Sequence, residues 1–357
     1  MDKSYLILVI NPGSTSTKIA LYKNEKELFS TSIFHSTDEL NQFKRISDQK
    51  EFRLQLVEKT LEENNISLNT IDGVVGRGGL VRPIPGGTYL VNEKMIKDLQ
   101  KAEWGEHASN LGGIIAFGLG KQIGVPAYIV DPVVVDEMEP VARISGLPEL
   151  ERRSIFHALN QKSVARRAAH EMGKEYNEIN LIVAHLGGGI SVGCHRKGKV
   201  IDVNNALNGD GPFSPERAGG VPAGQLIELC FSGKYTLQEL KKRLVGQGGM
   251  VAYLGTNEMP KVKERIEKGD DKAALIYEAM VYQVAKEIGS CAAVLKGKVD
   301  GIVLSGGLVY GEKFVEMIRE RVDWIAEIFV FPGEKEMEAL ALGCLHVLEG
   351  KEKAKIY

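Results

Sequence analysis

Apolar residues in this chain occur in short runs, separated by glycine-rich turns and by stretches with helical spacing. Residues 7–22 read ILVINPGSTSTKIALY, which is an apolar run, a turn of small polar residues and a second apolar run. Two β-like runs around such a turn predict a hairpin. Residues 181–193 repeat the arrangement as LIVAHLGGGISVG, about half a chain later. An internal repeat at this distance predicts duplicated domains.

Short apolar runs alternate with helical spacing through the rest of the chain. The further predicted strands are 27–33, 71–76, 127–130, 301–304 and 327–331. The predicted helices are 49–64, 92–101, 108–122, 160–173, 223–231, 236–245, 273–295 and 336–348. Strands that alternate with helices predict an α/β fold in each half.

Composition narrows the class of protein. The chain has 357 residues, of which 43% are hydrophobic and 26% charged, and this length favours two domains. A net charge of −2 indicates no general attraction to nucleic acid or to an anionic membrane. Neither a signal peptide nor a run of the ~18 apolar residues that a membrane helix needs is expected. Four scattered cysteines without metal-ligand spacing favour a reducing cytoplasm.

Several residue types suit the binding of anions. Arg77 and Arg217 lie in separate glycine-rich loops, where a planar guanidinium could hold a carboxylate or a phosphoryl group by two hydrogen bonds. Asp131 follows a predicted strand, at the end where ligand sites gather in α/β sheets. The first turn combines small residues, hydroxyls and N–H donors, which suits a phosphate. Surface arginines and an ordinary surface hairpin are the alternatives.

The histidines and the glycine runs are ambiguous by themselves. His157 and His185 are either buried core residues or donors to a phosphate. The glycines of the second turn serve a tight turn or the close approach of a ligand. No Walker A motif occurs, and no Gly-x-Gly-x-x-Gly stands between a strand and a helix. A P-loop kinase and a Rossmann dehydrogenase are therefore disfavoured.

In this order, the pieces resemble the superfamily of actin, Hsp70 and the sugar kinases, and within it the acetate and butyrate kinase family. The resemblance is carried by residues 11–18, 152–157, 185–189, 215–220 and 304–307, which together span nearly the whole chain. It implies two duplicated ribonuclease-H-like domains, as in actin-like ATPases, with the active site in the cleft between them. The expected domains are 1–150 with 337–357, and a nucleotide-binding domain of 151–336.

Departures from the acetate kinase pattern resemble the butyrate kinase branch. Pro12 and Gly188 stand where acetate kinases usually carry alanine and asparagine, and Arg77 is followed by Gly78-Gly79-Leu80 in place of Val-Val-His. Loss of a valine side chain beside Arg77 would widen an acyl pocket. Each buried methylene is worth ~0.8 kcal/mol, so a C4 acid could gain on the order of tenfold over a C2 acid. The expected substrate pocket consists of Gly78, Gly79 and Phe156.

The resemblance implies reversible, direct in-line transfer of a phosphoryl group from ATP, with Mg²⁺, to butyrate or a branched C4–C5 acid. The products are an acyl phosphate and ADP. The implied catalytic residues are Asn11, Arg77, Asp131, His157 and Arg217. The implied nucleotide contacts are Ser14, Ser16, Lys18, His185, Gly187, Gly188, Gly189, Ser305, Gly306 and Gly307. Glu336 and Asn11 are the expected metal residues, with Glu334 as the rival carboxylate.

Two other functions stay open. A hydroxyl kinase on the same fold would use an aspartate base, for which Asp131 is a candidate. A non-catalytic ATP-binding switch, similar to actin, would polymerise on ATP without carboxylate-dependent turnover. A cytoplasmic homo-oligomer is expected by resemblance. The sequence leaves open the acyl chain, the physiological direction and the size of the oligomer.

Overall fold

The computed structural model describes residues 3–357 and divides into two compact units. Unit 1 runs to Val135 and includes Lys335–Tyr357, and unit 2 comprises Asp136–Glu334. The strands of unit 1 are β1 (Leu6–Pro12), β2 (Ser16–Lys23), β3 (Lys26–Phe34), β4 (Gly73–Arg77), β5 (Thr88–Leu90), β6 (Ala127–Val130) and β12 (Lys355–Ile356). Those of unit 2 are β7 (Asn180–Leu186), β8 (Ile190–Arg196), β9 (Lys199–Val203), β10 (Gly301–Gly306) and β11 (Ile328–Pro332).

The helices are distributed over both units. Unit 1 contains α1 (Thr37–Asn41), α2 (Lys50–Glu63), α3 (Glu93–Lys101), α4 (Asn110–Ile123) and α13 (Glu336–Leu348). Unit 2 contains α5 (Pro140–Arg143), α6 (Ala158–Glu171), α7 (Ala223–Phe231), α8 (Leu237–Leu244), α9 (Gly249–Leu254), α10 (Met259–Glu267), α11 (Asp271–Val294) and α12 (Glu312–Val322). Short 3-10 turns lie at Ile46–Gln49, Leu68–Thr70 and Gly307–Tyr310. Within residues 3–357 no helix has both the length and the apolar character that crossing a bilayer requires.

The two sheets share one strand order. Unit 2 has the order β11-β10-β7-β8-β9, and unit 1 contains the same series as β6-β4-β1-β2-β3, extended by β5 and β12 at one edge. In each series the three strands that come first in the sequence pair antiparallel with one another. The other two strands extend the sheet from the first strand and pair in parallel. This is the ribonuclease-H-like order, so the predicted α/β fold with two related sheets is confirmed.

Both faces of each sheet are covered by helices. In β4, a side chain at Gly76 would meet α4, whereas one at Gly73 would meet Cys344 and Leu348 of α13. Residues three apart on a strand point to opposite faces, so α4 and α13 cover opposite sides of the unit 1 sheet. In unit 2, even-numbered residues of β7 pack with α11 and α12, and odd-numbered ones with α6.

The division between the units differs from the predicted domain ranges at two places: residues 136–150 cluster with unit 2, and Lys335 and Glu336 cluster with unit 1. Hydrogen bonds explain the first difference. The guanidinium of Arg143 holds both carboxylate oxygens of Asp136, at 2.6 and 2.7 Å. Glu139 N donates to Ile201 O at 2.9 Å, and Arg152 bridges Ala142 O and the Asp202 carboxylate. The segment is therefore tied to β9.

Two glycines allow α4 to lie directly against β4. An added Cβ at Gly112 would come within 2.3 Å of Arg77 O, and one at Gly76 within 2.1 Å of Gly112 O. These distances are far inside van der Waals contact, so no side chain fits between the helix and the strand. The end of β4 is thereby held by the backbone of α4.

We predict that Gly112→Ala lowers the free energy of unfolding by about 1–3 kcal/mol or more, because the new methyl group must displace the backbone of Arg77. Urea denaturation measures the change. Gly289→Ala is the matched control, since Gly289 is also helical and has nothing within 4 Å of an added Cβ. There alanine should be neutral or stabilising by up to about 1 kcal/mol. Equal stability of the two variants would refute the close approach.

Candidate active site

Asn11 and Arg77 meet at one edge of the unit 1 sheet. Ile10 of β1 pairs in parallel register with Gly76 of β4, so the residues that follow them are neighbours. Glu336, the first residue of α13, contacts both side chains. Its Oε2 accepts from Asn11 Nδ2 at 2.8 Å and makes a short ion pair with Arg77 Nη1. A single carboxylate oxygen therefore joins the amide and the guanidinium, as a cluster of three polar groups at the strand ends.

Asn11 and Glu336 fit a nucleotide-bound Mg²⁺ better than a metal held by protein alone. Mg²⁺ usually takes one or two carboxylates and completes its shell with phosphate oxygens and water. Asn11 faces Glu336 through Nδ2, so Oδ1 is the atom with which it could hold a metal. Across residues 3–357 no group of three or more His, Cys, Asp or Glu is placed to hold a metal ion. Glu334, the rival carboxylate, belongs to unit 2 and contacts His185.

Asp131 holds the glycine-rich loop that follows Arg77. It is 1% exposed and adopts a left-handed backbone with φ of 37°. Its Oδ1 accepts from Gly87 N at 2.6 Å, and its own N donates to Gly87 O at 3.1 Å. Non-glycine residues adopt this conformation rarely, and they keep it where surrounding contacts hold them. The structure thus shows a loop-positioning contact for Asp131, and its predicted catalytic role stays a prediction.

The turn between β1 and β2 directs its carbonyl groups into unit 1. Gly13 O and Ser14 O accept from Arg53, and Thr15 O accepts from His35 N at 2.9 Å. Within residues 3–357 the N–H groups of Ser14 and Thr15 have no assigned acceptor, and both residues are exposed. The turn therefore presents N–H groups outward, as a phosphate-binding turn requires. Ser16 is half-buried beside it, and Lys18 is exposed on β2 opposite Asn11.

Arg53 is the residue that sequence reasoning missed. Its side chain, on α2, is 1% exposed and donates to Gly13 O, Ser14 O, Ser16 O, Thr17 Oγ1 and Gln49 Oε1, over 2.8–3.1 Å. Every partner of Arg53 within residues 3–357 is neutral, and burial lowers its pKa to about 10. A signal was present in the sequence, because Arg53 occupies the same helical face as Val57 and Leu61.

We predict that Arg53→Met disorders the first turn, because Gly13 O and Ser14 O lose their donor, whereas Ser16 O keeps its bond from Gly13 N. Each buried acceptor left unpaired costs about 1–3 kcal/mol. Arg53→Lys should recover only part of the loss, since an ammonium cannot reproduce the planar fork. Hydrogen exchange of residues 13–17, together with urea denaturation, measures the effect. Arg45→Met, at a half-exposed arginine, is the control. Unchanged exchange in the turn of Arg53→Met would show that the guanidinium does not order it.

In unit 2 the ends of β7 and β10 repeat the arrangement with different residues. Ser305 pairs in register with His185. Both side chains reach Asn160 Oδ1 on α6, Ser305 Oγ at 2.6 Å and His185 Nδ1 at 2.8 Å. The ring of His157, which precedes α6, stacks on that of His185 with centroids 3.9 Å apart. Glu334 Oε1 lies 3.1 Å from His185 Nε2. Two predicted histidines therefore share one site.

Arg217 lies against the second turn. An added Cβ at Gly189 would be 2.1 Å from Arg217 Nη1, so glycine is needed for the guanidinium to pass. Nη1 donates to Ala206 O at 2.7 Å, while Nε is buried without a partner among residues 3–357. Burial lowers the Arg217 pKa, and Glu216 opposes that shift. Ser214 Oγ donates to Gly188 O, which fixes the loop of Arg217 to the turn.

The glycines after β10 make a narrow backbone crossing. Gly306 has φ of 96°, and an added Cβ would be 2.4 Å from Leu186 O. Gly306 and Gly333 exchange two backbone hydrogen bonds. Gly307 opens the 3-10 turn that ends at Tyr310, and an added Cβ there would meet nothing within 4 Å. Gly187 packs beside His185, with 3.1 Å between its added Cβ and Nε2.

The expected pocket at Gly78 and Gly79 needs correction. An added Cβ at Gly78 would lie 2.6 Å from Pro132 Cβ, and one at Gly79 would lie 2.5 Å from the Asn110 backbone. The space that a side chain would take is filled by protein, so these glycines permit close packing and do not remove a pocket wall. Phe156 is 2% exposed and precedes His157.

Comparison with known proteins agrees with this fold. The structure is similar to an acetate kinase of Porphyromonas gingivalis, with a TM-score of 0.81 and 18% identity over 96% of this chain and 100% of that chain. For a propionate kinase of Francisella tularensis the TM-score is 0.73 and the sequence identity 20%, over 95% of this chain and 98% of that chain. For a putative N-acetylmannosamine kinase of Listeria monocytogenes the TM-score is 0.53 and the sequence identity 15%, over 97% of this chain and 100% of that chain. The fold is therefore that of the kinases related to actin.

A sequence model of the acetokinase family matches residues 148–342, more than half of the chain. The chain belongs to the acetokinase family. It is accordingly a kinase that uses ATP to phosphorylate a carboxylate, giving an acyl phosphate. The matched span contains His157, His185, Arg217 and Ser305, whereas Asn11 and the segment after Arg77 lie outside it.

Proposed function

We propose that the protein phosphorylates butyrate or a branched C4–C5 acid, with Mg²⁺ and by direct in-line transfer from ATP. The observation that carries the proposal is the cluster of Asn11, Arg77 and Glu336 at the ends of β1 and β4. It combines a guanidinium for an anionic acceptor with oxygen ligands for a metal. The sequence Arg77-Gly78-Gly79-Leu80 supports an acid larger than acetate, because it resembles the butyrate kinase branch.

Phosphoryl transfer to a carboxylate requires from the protein mainly positive charge and correct positioning of the two substrates. A carboxylic acid with a pKa near 4–5 is ionised at neutral pH, so it attacks without a general base. Donors and cations must then stabilise the charge that spreads over the transferring phosphoryl group. In this proposal Arg77 and Arg217 supply cationic donors, and His157 donates a hydrogen bond to the phosphoryl group. Asn11 and Glu336 would hold Mg²⁺, which neutralises phosphate charge when bound.

The nucleotide is proposed to bind through the two turns and the end of β10. The first turn presents N–H groups, and the second leaves room beside Gly187 and Gly188. Adenosine would lie along Ser305–Gly307, next to a cavity of about 540 Å³ in unit 2. The cavity is lined by Lys263, Ile266, Glu267, Ala274, Tyr277, Glu278, Tyr310, Glu312, Lys313 and Met317.

Asp131 bears on the hydroxyl kinase alternative. Such a kinase needs an aspartate that accepts a proton from the hydroxyl. The Asp131 carboxylate accepts instead from Gly87 N, at 2.6 Å. This contact accounts for Asp131 as a loop-positioning residue, and a carboxylate acceptor needs no base.

The setting and the assembly are proposed from the cysteines and from one helix. We place the reaction in the cytoplasm, since the four cysteines are free. Self-association is proposed because Leu275 and Tyr282 expose apolar surface on α11, at 64% and 49%. Sedimentation at several concentrations would test it, and a monomer throughout would contradict it.

We predict that acyl phosphate formation from MgATP, trapped with hydroxylamine, is fastest with acids of four or five carbons. The series is formate, acetate, propionate, butyrate, isobutyrate and valerate. Buried methylene groups favour the longer acids by about 0.8 kcal/mol each until the pocket is full. A maximum at acetate would keep the carboxylate chemistry and overturn the proposed chain length. Hydroxamate from no acid, with sugar-dependent ADP release, would favour the hydroxyl kinase.

We predict that Glu336→Gln raises the Mg²⁺ concentration needed for half-maximal rate by about tenfold or more, because a charged ligand becomes neutral. Glu334→Gln is the matched control, two residues away and paired with His185 instead of Asn11. It should leave the Mg²⁺ requirement within about twofold of the parent, because the Glu334 carboxylate contacts His185 Nε2 at 3.1 Å, whereas that of Glu336 contacts Asn11. If Glu334→Gln raised the Mg²⁺ requirement more than Glu336→Gln, Glu334 would be the metal-binding carboxylate.

A further inference from the structure

We propose that a chain of hydrogen bonds behind His157 fixes its proton on Nε2, so that the ring donates to the phosphoryl group while neutral. The chain runs through Ser191, Gln161, His195 and Tyr176. It rests on the proposed function only for the identity of the acceptor, because the position of the proton follows from the bonds themselves. These four residues are positioning residues, since they act through His157.

The direction of the chain is set by a backbone carbonyl. Gln161 Nε2 lies 3.0 Å from Ser191 O, and a carbonyl only accepts, so the amide nitrogen must be at this end of Gln161. The same Nε2 donates to Ser191 Oγ at 2.8 Å. Among the described residues His157 Nδ1, at 2.9 Å, is the acceptor within reach of the Ser191 hydroxyl, so we infer that its hydrogen points there. Because Nδ1 accepts, the ring proton of neutral His157 is on Nε2.

The hydrogen bonds between Gln161, His195 and Tyr176 run in the same direction, toward His157. Because the Gln161 amide nitrogen faces Ser191, its Oε1 faces His195 Nε2 at 3.0 Å. An amide oxygen only accepts, so His195 Nε2 donates. His195 Nδ1 then accepts from the hydroxyl of Tyr176 at 2.8 Å. His195 is fully buried, and burial together with Lys162 and Arg166 holds its pKa well below the usual range. It therefore stays a neutral relay, and every group donates toward His157.

Charged and titratable groups lie on both sides of the hydrogen-bond chain. The ring of His185 stacks on it, and the Glu334 carboxylate contacts His185 Nε2. A positive charge on both stacked rings would be repulsive at this separation. Behind the chain, Lys162 Nζ is paired with Glu137 at 2.9 Å. Protonation of His157 Nδ1 would also set a hydrogen against the Ser191 hydroxyl hydrogen.

This arrangement has a functional consequence at neutral pH. A neutral imidazole offers a donor at Nε2 only in the correct tautomer. By fixing the tautomer, the chain keeps the donor in place at neutral and alkaline pH. Loss of one donor to a developing anionic charge costs about a hundredfold or more in kcat.

Gln161→Glu is the sharpest test, because it changes the direction of the bonds with almost no change in shape. Once ionised, the introduced carboxylate only accepts, so the Ser191 hydroxyl turns to it and the ring proton moves to Nδ1. We expect kcat to fall about a hundredfold, with KM for ATP and for the acid within about twofold. As pH falls, the neutral carboxyl group donates again and activity should recover. A parent-like kcat and pH profile would overturn the proposal.

Ser191→Ala removes the hydroxyl that faces His157 and should also lower kcat, with the pH-dependent recovery absent. Val192→Ala is its matched control. It lies next along β8, is equally buried, and points to the other face of the sheet. It should cost stability and leave kcat within about twofold, because it touches none of the positioning residues. Equal losses of kcat in the two variants would indicate a merely structural effect.

The position of the proton can be measured without turnover. In protein labelled with ¹⁵N-histidine, His157 should show an unprotonated Nδ1 and a protonated Nε2 at neutral pH. In Gln161→Glu, or in Ser191→Ala if the first variant does not fold, this pattern should be reversed or mixed. A protonated Nδ1 in the parent protein refutes the inference even if carboxylates are phosphorylated. An enzyme inactive on every acid refutes the proposed function and leaves the tautomer result standing.

Discussion

The register between one hairpin strand and its parallel neighbour determines where the polar groups of each unit can lie. In unit 1, Ile10 pairs with Gly76, which makes Asn11 and Arg77 neighbours. In unit 2, His185 pairs directly with Ser305. Parallel strands end at a common sheet edge, and the hairpin turns back at the same edge. Turn backbone and strand-end side chains are therefore gathered by strand pairing alone. A shift of one residue in either register would separate them.

Three arginines, two in unit 1 and one in unit 2, are held in different ways. Arg77 is paired with the Glu336 carboxylate, Arg53 is surrounded by backbone carbonyls, and Arg217 has a buried Nε without a partner among residues 3–357. Burial lowers the pKa of both Arg53 and Arg217. A buried cation without a carboxylate is unfavourable in the protein alone, and a bound anion would relieve the cost.

The fold was largely predictable from the sequence, because both hairpins combine apolar runs with a short polar turn. α7 and α13 match the predicted bounds, whereas α10 and α12 were not predicted. In the site, sequence reasoning selected the strand-end residues but missed Arg53, because its helical spacing marks a buried position while the turn that it binds lies 36–40 positions earlier in the chain. It also misread Gly78 and Gly79, since only the structure shows Pro132 and Asn110 in the space that a side chain would fill. The sequence shows which residues are small, but it does not show which residues pack against them.

Transfer of the γ-phosphoryl group of ATP to a carboxylate oxygen is tested most directly by following the oxygen atoms. Butyrate labelled with ¹⁸O in both carboxylate oxygens would be incubated with the protein and MgATP, and the products followed by ³¹P NMR. The expected products are ADP and an acyl phosphate with one ¹⁸O between carbon and phosphorus. Formation of AMP that carries ¹⁸O would contradict this mechanism, because it would mean attack at the α-phosphorus. Unlabelled phosphate with no acyl phosphate would contradict the function itself.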